Sequence, residues 1–154
     1  MTSHFLFVAG ALRERSSRDS ADLQLTHRIW GLRSALICEN VQRYLSAESR
    51  GFVYVLKEGL CAHFSISSGV QPLDRLDSLE RDELRTEARY GYVAVTDVRR
   101  WPSSSGQSLT LLRQILEVPD QPELTRRLNL GMHRLTQEQH DALLKVVEGT
   151  PWSA

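Results

Sequence analysis

The chain of 154 residues is poor in cysteine and has no long apolar run. Its 2 cysteines, Cys38 and Cys61, have no CxxC or Cys/His spacing, which argues against a disulfide framework and a zinc site. No apolar run approaches the roughly 18 residues that a bilayer span needs. The N-terminus also lacks the basic start and long apolar core of a secretory signal. We therefore expect a cytoplasmic protein with no membrane segment.

Catalytic and metal-binding motifs are missing as well. The 5 histidines show no HxH or HExxH spacing that would hold a metal. No GxSxG, GxxxxGKS/T or GxGxxG motif follows a predicted strand. We therefore expect no catalytic residue, no metal and no cofactor. A small enzyme whose active site is assembled from distant residues stays open as a third alternative.

Lysine is nearly absent. Apart from Lys57 and Lys145, arginine supplies all of the 19 cations, and 19 carboxylates balance them to a net charge of zero. The net charge therefore does not favour nucleic acid as a partner. Arginine presents a planar fork that suits phosphate groups and base edges, but an arginine-rich proteome would give the same bias. Both explanations stay open.

The composition and the order of predicted elements indicate one mixed α/β (α+β) domain. With 41% hydrophobic and 25% charged residues, the chain is typical of a folded globular domain. We expect the domain to cover residues 1–148 and a tail to cover 149–154. The predicted elements are a strand at 4–9, a helix from Asp19 or Ser20 to about Arg28, a helix at 36–49, a hairpin at 52–66, a surface helix at 74–87, a strand at 90–98, helices at 109–116 and 123–128, and a last helix that Thr136 caps. Gln139 stands at the position that completes a capping box with Thr136.

The most distinctive segment surrounds a tryptophan. Trp30 stands among cations and small polar residues in the sequence His27-Arg28-Ile29-Trp30-Gly31-Leu32-Arg33-Ser34. An aromatic face beside guanidinium groups suits a flat ligand such as a nucleobase. Trp30 is equally compatible with an ordinary core role. If it is a pocket wall, its replacement by alanine should leave the stability nearly intact, whereas loss of a core tryptophan should unfold the domain.

The order and spacing of several segments resemble the EVE and YTH-like branch of the PUA-like folds. The resemblance covers residues 4 to 148 and implies a PUA-like open β-barrel flanked by helices. It also implies that the domain recognises a flipped-out modified base in DNA or RNA, such as a methylated adenine or a methylated or hydroxymethylated cytosine. The segments that carry the resemblance are Phe5-Leu6-Phe7-Val8-Ala9-Gly10, Arg28-Ile29-Trp30-Gly31-Leu32, Gly51-Phe52-Val53-Tyr54-Val55, Tyr90-Gly91-Tyr92-Val93-Ala94-Val95 and Gly131-Met132-His133-Arg134-Leu135-Thr136-Gln137-Glu138-Gln139.

The resemblance also assigns site residues. Trp30 would stack on the base, and Gly31 would offer a backbone group to the base edge. The expected base-binding residues are Trp30, Gly31, Gly10, Ala11, Ser34, Asn40 and Trp101, and the expected phosphate-binding residues are Arg33, Arg99, Arg100, Arg127 and Arg134. In YTH-like domains a second cage tryptophan follows the hairpin, but residues 67–79 contain no aromatic residue here. The substitutes to consider are Tyr90, Tyr92 and Trp101, of which Trp101 is also a candidate for a loop plug. Alternatively, the pocket is half aromatic and half aliphatic, which is closer to the EVE domains.

The sequence thus predicts a non-catalytic domain that binds nucleic acid carrying a modified base. Its expected setting is the reader module of a modification-dependent restriction system, with an effector nuclease or ATPase domain or chain as a partner. The alternative is a protein-interaction or regulatory module in which the surface around Trp30 recognises a partner protein.

Overall fold

Six strands and six α-helices build the part of the chain that the structure, a computed structural model, describes: residues 2–10, 12, 15–56, 58–100 and 109–148. The strands are β1 (His4–Ala9), β2 (Ile29–Gly31), β3 (Arg50–Val55), β4 (Gly59–Ile66), β5 (Tyr92–Arg100) and β6 (Met132–Leu135). The helices are α1 (Ser17–Thr26), α2 (Ala35–Tyr44), α3 (Ser78–Glu83), α4 (Leu109–Ile115), α5 (Gln121–Asn129) and α6 (Gln137–Val147), with a 3-10 helix at Leu73–Arg75.

The strands form one curled sheet in the order β2-β5-β4-β3-β1-β6. β1 pairs with β3 in parallel, and every other neighbouring pair is antiparallel. The sheet closes only part of a barrel, and helices cover both of its faces. This arrangement confirms the predicted mixed α+β fold with an open β-barrel.

The alternation of side chains along β1 explains how one strand serves two cores. Phe5 and Phe7 point to the barrel interior, where they join Trp30 and the apolar faces of α1 and α2. Leu6 and Val8 point to the opposite face, which α4, α5 and α6 cover. Successive side chains of a strand lie on opposite faces. A strand buried on both faces therefore appears in the sequence as an unbroken apolar run.

Side-chain caps set several helix boundaries. α1 begins after Ser16, whose hydroxyl accepts a hydrogen bond from the Asp19 backbone N–H at 3.1 Å. The predicted cap at Asp19 or Ser20 is therefore wrong by about one turn. At α6, Thr136 and Gln139 form the reciprocal capping box that the sequence predicted.

Several predicted boundaries differ from the structure. The short strands β2 and β6 were not expected, because their pairing with distant strands leaves little local signal. The helix predicted at 36–49 ends at Tyr44, where a turn closed by Ser46 and Ser49 begins. The surface helix predicted at 74–87 is divided into the 3-10 helix and α3, because Asp77 caps a new start. Residues 101–108 and the tail at 149–154 lie outside the described residues.

No helix of the described part of the chain combines the length and the apolar character that crossing a membrane requires.

Candidate nucleic-acid interface

A small cavity lies where the carboxyl end of β1, the strand β2 and the start of α2 meet. Its volume is about 10 Å³, close to the roughly 10–15 Å³ that one water molecule requires. It combines apolar, amide, hydroxyl and guanidinium groups. The lining residues are Phe7, Val8, Ala9, Ser20, Gln24, Trp30, Gly31, Arg33, Ile37 and Gly131.

Trp30 contributes both to this cavity and to the core. Its side chain is 4% exposed, and its ring centroid lies 5.9 Å from that of Phe7 and 6.4 Å from that of Phe64. The indole is thus enclosed by the aromatic interior of the barrel and reaches the cavity with only part of its surface. Replacing it by alanine will therefore destabilise the domain, in contrast to the outcome expected for a pure pocket wall.

A buried hydrogen-bonded chain forms the polar side of the cavity. The Gly31 backbone N–H donates to Gln24 Oε1 at 2.8 Å, and Gln24 Nε2 donates to the Ser20 carbonyl and hydroxyl oxygens at 3.2 and 3.3 Å. The Ser20 hydroxyl donates to Glu87 Oε2 at 2.9 Å, and Arg15 Nη1 pairs with the same oxygen at 2.9 Å. These bonds fix the orientation of the Gln24 amide. They also attach α1 to β2.

Gly31 is required at its position by packing. A Cβ atom built there would lie 2.2 Å from the carbonyl oxygen of Glu87, which is far inside van der Waals contact. The absence of a side chain therefore lets β2 approach the segment that carries Glu87. Because Gln24 already accepts from the Gly31 N–H, a ligand reaches that N–H only by displacing the Gln24 amide.

Arg33 presents a cation to the cavity. It is half-buried, lines the cavity and places Nη2 3.0 Å from the position that a Cβ of Gly10 would occupy. It makes no hydrogen bond or ion pair with the described residues. Glycine at position 10 leaves room for this guanidinium. Its five N–H donors are consequently available to a ligand.

The remaining residues predicted to bind the base take other positions. Ser34 caps α2, and its hydroxyl accepts from the Ile37 backbone N–H at 3.1 Å. Asn40 is half-buried on α2 and does not line the cavity. Ala11 and Trp101 lie outside the described residues.

Of the five arginines predicted to bind phosphate, only Arg33 lines the cavity. The other four have different surroundings. Arg100 lies 3.9 Å from Asp22, and Arg127 lies 3.0 Å from Glu123. Arg134 lies over the Tyr44 ring at 3.8 Å from its centroid, and Arg99 lines a separate cleft beside His63.

The second aromatic residue of the cavity is Phe7. Tyr90 is 44% exposed, and Tyr92 packs with Leu76 and Leu84 on the outer face of the sheet. Neither tyrosine lines the cavity. Sequence reasoning missed Phe7 because it reads as strand core.

Sequence reasoning also missed the polar residues Ser20 and Gln24. These two residues are one helical turn apart and are both buried on α1. A polar pair at i and i+4 beside the buried pair Ala21 and Leu25 is the signal that would have revealed them.

Two solved structures share this architecture, which confirms the overall fold that the resemblance implied. The chain is similar to human THYN1, solved in complex with DNA containing 5-methylcytosine, with a TM-score of 0.60 and 20% identity over 97% of this chain and 100% of that chain. It is also similar to protein Atu2648 from Agrobacterium tumefaciens, with a TM-score of 0.50 and 17% identity over 94% of this chain and 90% of that chain. No protein-family model matches the sequence. No curated protein matches it either.

Proposed function

We propose that this domain binds DNA carrying a modified base and that the base is flipped into the cavity beside Trp30. The observation that carries the proposal is Arg33, a half-buried guanidinium without a partner among the described residues, which lines the same cavity as Trp30 and Phe7. The similarity of the fold to a protein solved with methylcytosine DNA supports DNA as the polymer.

Entry of a base requires the cavity to open, because its volume of about 10 Å³ accepts no more than a water molecule. Arg33 lines the cavity from the segment just before α2, and Ile37 lines it from the first turn of that helix. We expect their side chains to move aside when the base enters. Flipping a base out of a duplex costs a few kcal/mol, and stacking on an aromatic ring returns ~1–3 kcal/mol.

Two kinds of contact would then recognise the modified base, namely hydrogen bonds from Arg33 and apolar contacts with the cavity walls. The guanidinium of Arg33 would donate to acceptor atoms on the base edge or to the adjacent phosphate. The apolar walls formed by Phe7, Trp30 and Ile37 would surround the added methyl group, which is worth about 1 kcal/mol when buried. The base would thus be held mainly by stacking and charge, and the modification would add a modest preference.

The proposed role is recognition, and any cleavage of the DNA would belong to a partner. An effector nuclease or ATPase domain or chain would supply it, as in a modification-dependent restriction system. The cavity would then select the sites at which that partner acts.

Fluorescence anisotropy with labelled oligonucleotides tests the proposal. The set contains 5-methylcytosine, 5-hydroxymethylcytosine, N6-methyladenine and no modification, each in single-stranded and duplex DNA and in RNA. We expect the tightest binding to a modified DNA, with an affinity that falls steeply as salt rises. The absence of binding to every DNA and RNA would contradict the proposal.

A pair of arginine variants localises the binding. Arg33→Gln should weaken binding to the preferred oligonucleotide by about tenfold. Arg85→Gln is the matched control, because Arg85 is 70% exposed and its one ion pair within the described part of the chain is with Asp82. Equal affinities for wild type and Arg33→Gln would show that the cavity is not the binding site.

A further inference from the structure

Three buried histidines meet at the end of β1 that is remote from the Trp30 cavity. His4 lies on β1, His63 on β4 and His140 on α6, and they are 2%, 6% and 1% exposed. The rings of His4 and His140 stack with centroids 4.2 Å apart. The Nε2 atoms of His63 and His140 are 3.0 Å apart. Buried polar rings at these distances are held in specific protonation states.

The hydrogen bonds of this cluster determine the tautomers of His140 and His63. The Nδ1 atom of His140 lies 3.0 Å from Oδ1 of Asp141. Hydrogen bonds from His140 and Gln137 lower the pKa of Asp141, so this carboxylate is ionised. It therefore accepts a hydrogen bond from His140 Nδ1–H. Neutral His140 then has a bare Nε2, which accepts from His63 Nε2–H. Neutral His63 is left with a bare Nδ1.

The hydrogen bonds of His4 are consistent with this assignment. The Arg50 backbone N–H donates to His4 Nδ1 at 3.0 Å, so His4 carries its proton on Nε2 and donates to Gln137 Oε1 at 2.7 Å. Gln137 Nε2 donates to the same Asp141 oxygen at 2.9 Å. Every described ring nitrogen of the cluster therefore has a partner except His63 Nδ1.

His63 opens onto a cleft that is distinct from the Trp30 cavity. The cleft has a volume of about 290 Å³, and its walls carry two guanidinium groups, a hydroxyl group and one carboxylate. Arg50 and Arg99 are close enough to lower the pKa of His63, after burial and the neighbouring His140. The lining residues are Arg50, His63, Ser65, Asp97, Val98, Arg99 and Leu144.

We propose that this cleft binds a phosphomonoester group in its monoanionic form. Arg50 and Arg99 would donate to the anionic oxygens, the Ser65 hydroxyl would donate to a third oxygen, and the bare Nδ1 of His63 would accept the P–O–H hydrogen. A phosphodiester and a sulfate carry negative oxygens but no hydrogen to donate. The bare nitrogen and the Asp97 carboxylate both disfavour a second negative charge, whereas a phosphomonoester near its second pKa of about 6 supplies the monoanion.

The ligand is either a small phosphorylated compound or the phosphorylated end of a nucleic-acid strand, since both present the same group. The site is independent of the Trp30 cavity, so it stands whether or not the domain binds a modified base.

NMR of the histidine rings in the intact chain tests this proposal. In the protein without ligand, the ring spectrum of His63 should show a proton on Nε2 and none on Nδ1. Inorganic phosphate at slightly acidic pH should shift the His63 nitrogens in a saturable manner, and sulfate should bind about tenfold more weakly. A lack of saturable shifts with millimolar phosphate, or equal binding of sulfate, would overturn the proposal.

Variants separate this cleft from other binding sites. Arg50→Gln changes an exposed side chain and should weaken phosphate binding by about tenfold, whereas the surface control Arg85→Gln should not change it. His63→Asn retains an acceptor near the Nδ1 position but loses the bond to His140, so it should retain more phosphate binding than His63→Ala. Unchanged phosphate affinity in Arg50→Gln would contradict the assignment even if the His63 variants do not fold.

Oligonucleotides without modified bases identify the source of the phosphate. Tighter binding of a 5′-phosphorylated strand than of its 5′-hydroxyl counterpart, with the difference abolished by Arg50→Gln, would support a strand end as the ligand. Equal binding of the two strands together with saturable inorganic phosphate binding would support a small phosphorylated compound.

Discussion

The two ends of β1 carry buried polar networks of different chemistry. At the carboxyl end, the Gln24 amide and the Ser20 hydroxyl line the Trp30 cavity and connect through hydrogen bonds to the ion pair between Arg15 and Glu87. At the amino end, His4, His63 and His140 form a neutral cluster. Histidine is the side chain that ordinarily changes charge near neutral pH. We therefore expect that, as the pH falls, the histidine cluster at the amino end of β1 is destabilised before the network at the carboxyl end.

Trp30→Ala is expected to have the largest effect. The indole is 4% exposed and packs against Phe7 and Phe64. Its loss should lower the free energy of unfolding by about 3–5 kcal/mol, as measured by urea denaturation. Tyr90→Ala, at a position that is 44% exposed, is the control and should change it by less than about 0.5 kcal/mol. A small effect at Trp30 would mean that its burial contributes little.

Replacing Gln24 tests the network at the carboxyl end of β1. Gln24→Leu leaves the buried N–H of Gly31 without its acceptor, so the free energy of unfolding should fall by about 1–3 kcal/mol. Gln42→Leu is the control, because Gln42 lies exposed on α2 and makes no hydrogen bond with another described side chain. The expected loss there is below about 0.5 kcal/mol. Equal losses in the two variants would mean that the hydrogen bonds of Gln24 contribute little to stability.

Mild acid should lower the free energy of unfolding through the histidine cluster at the amino end of β1. Burial and the neighbouring His140, Arg50, Arg99 and His4 lower the pKa of His63 to about 3 in the folded protein. Below the ordinary pKa of about 6.5 the unfolded chain binds more protons, so stability falls as the pH falls. This one group accounts for a loss of up to ~2 kcal/mol between about pH 6.5 and about pH 5. Urea denaturation at several pH values measures it.

His140 and His27 also affect how the stability depends on pH. The pKa of His140 is lowered by burial, with the charges of His4 and Arg50 acting in the same direction and Asp141 opposing them. The pKa of His27 is raised, because hydrogen bonds and charges of Glu83 and Glu80 outweigh its burial. His63→Gln should therefore flatten the acid loss, whereas His27→Gln should steepen it. A stability that stays constant from neutral pH down to about pH 5 would contradict this account.

The smallest expected effects come from the two helix caps. Thr136 caps α6, which carries His140, and Ser34 caps α2 next to Arg33. Each alanine substitution should cost about 1 kcal/mol of stability. Thr136→Ala should also change the histidine ring spectra, and Ser34→Ala should change DNA binding. If both variants alter both measurements, the two ends are coupled through the sheet.

Local patterns predicted the elements whose signals lie within a few residues. The apolar run of β1 and the capping box at Thr136 and Gln139 are examples. The short strands β2 and β6 could not be predicted in this way, since their pairing depends on strands that are remote in the sequence. The placement of Trp30 beside the cavity came from the resemblance to a family.

The polar residues of the two networks required the structure. Gln24 acts through the backbone of Gly31, which belongs to a different element. His63 and His140 are 77 positions apart in the sequence and meet only because α6 packs on the sheet. Neither contact has a spacing that a sequence pattern records. Their chemistry is a property of packing between elements.

β1 also sets a distance within the molecule. It has six residues and spans about 17 Å at roughly 3.3 Å per step, and it is paired with β3 on one side and β6 on the other. A ligand that contacts the regions at both ends of this strand must therefore be at least that long. Along the axis of a DNA duplex this length corresponds to about five base-pair steps of 3.4 Å. A single base-pair step is therefore too short to reach both ends of the strand.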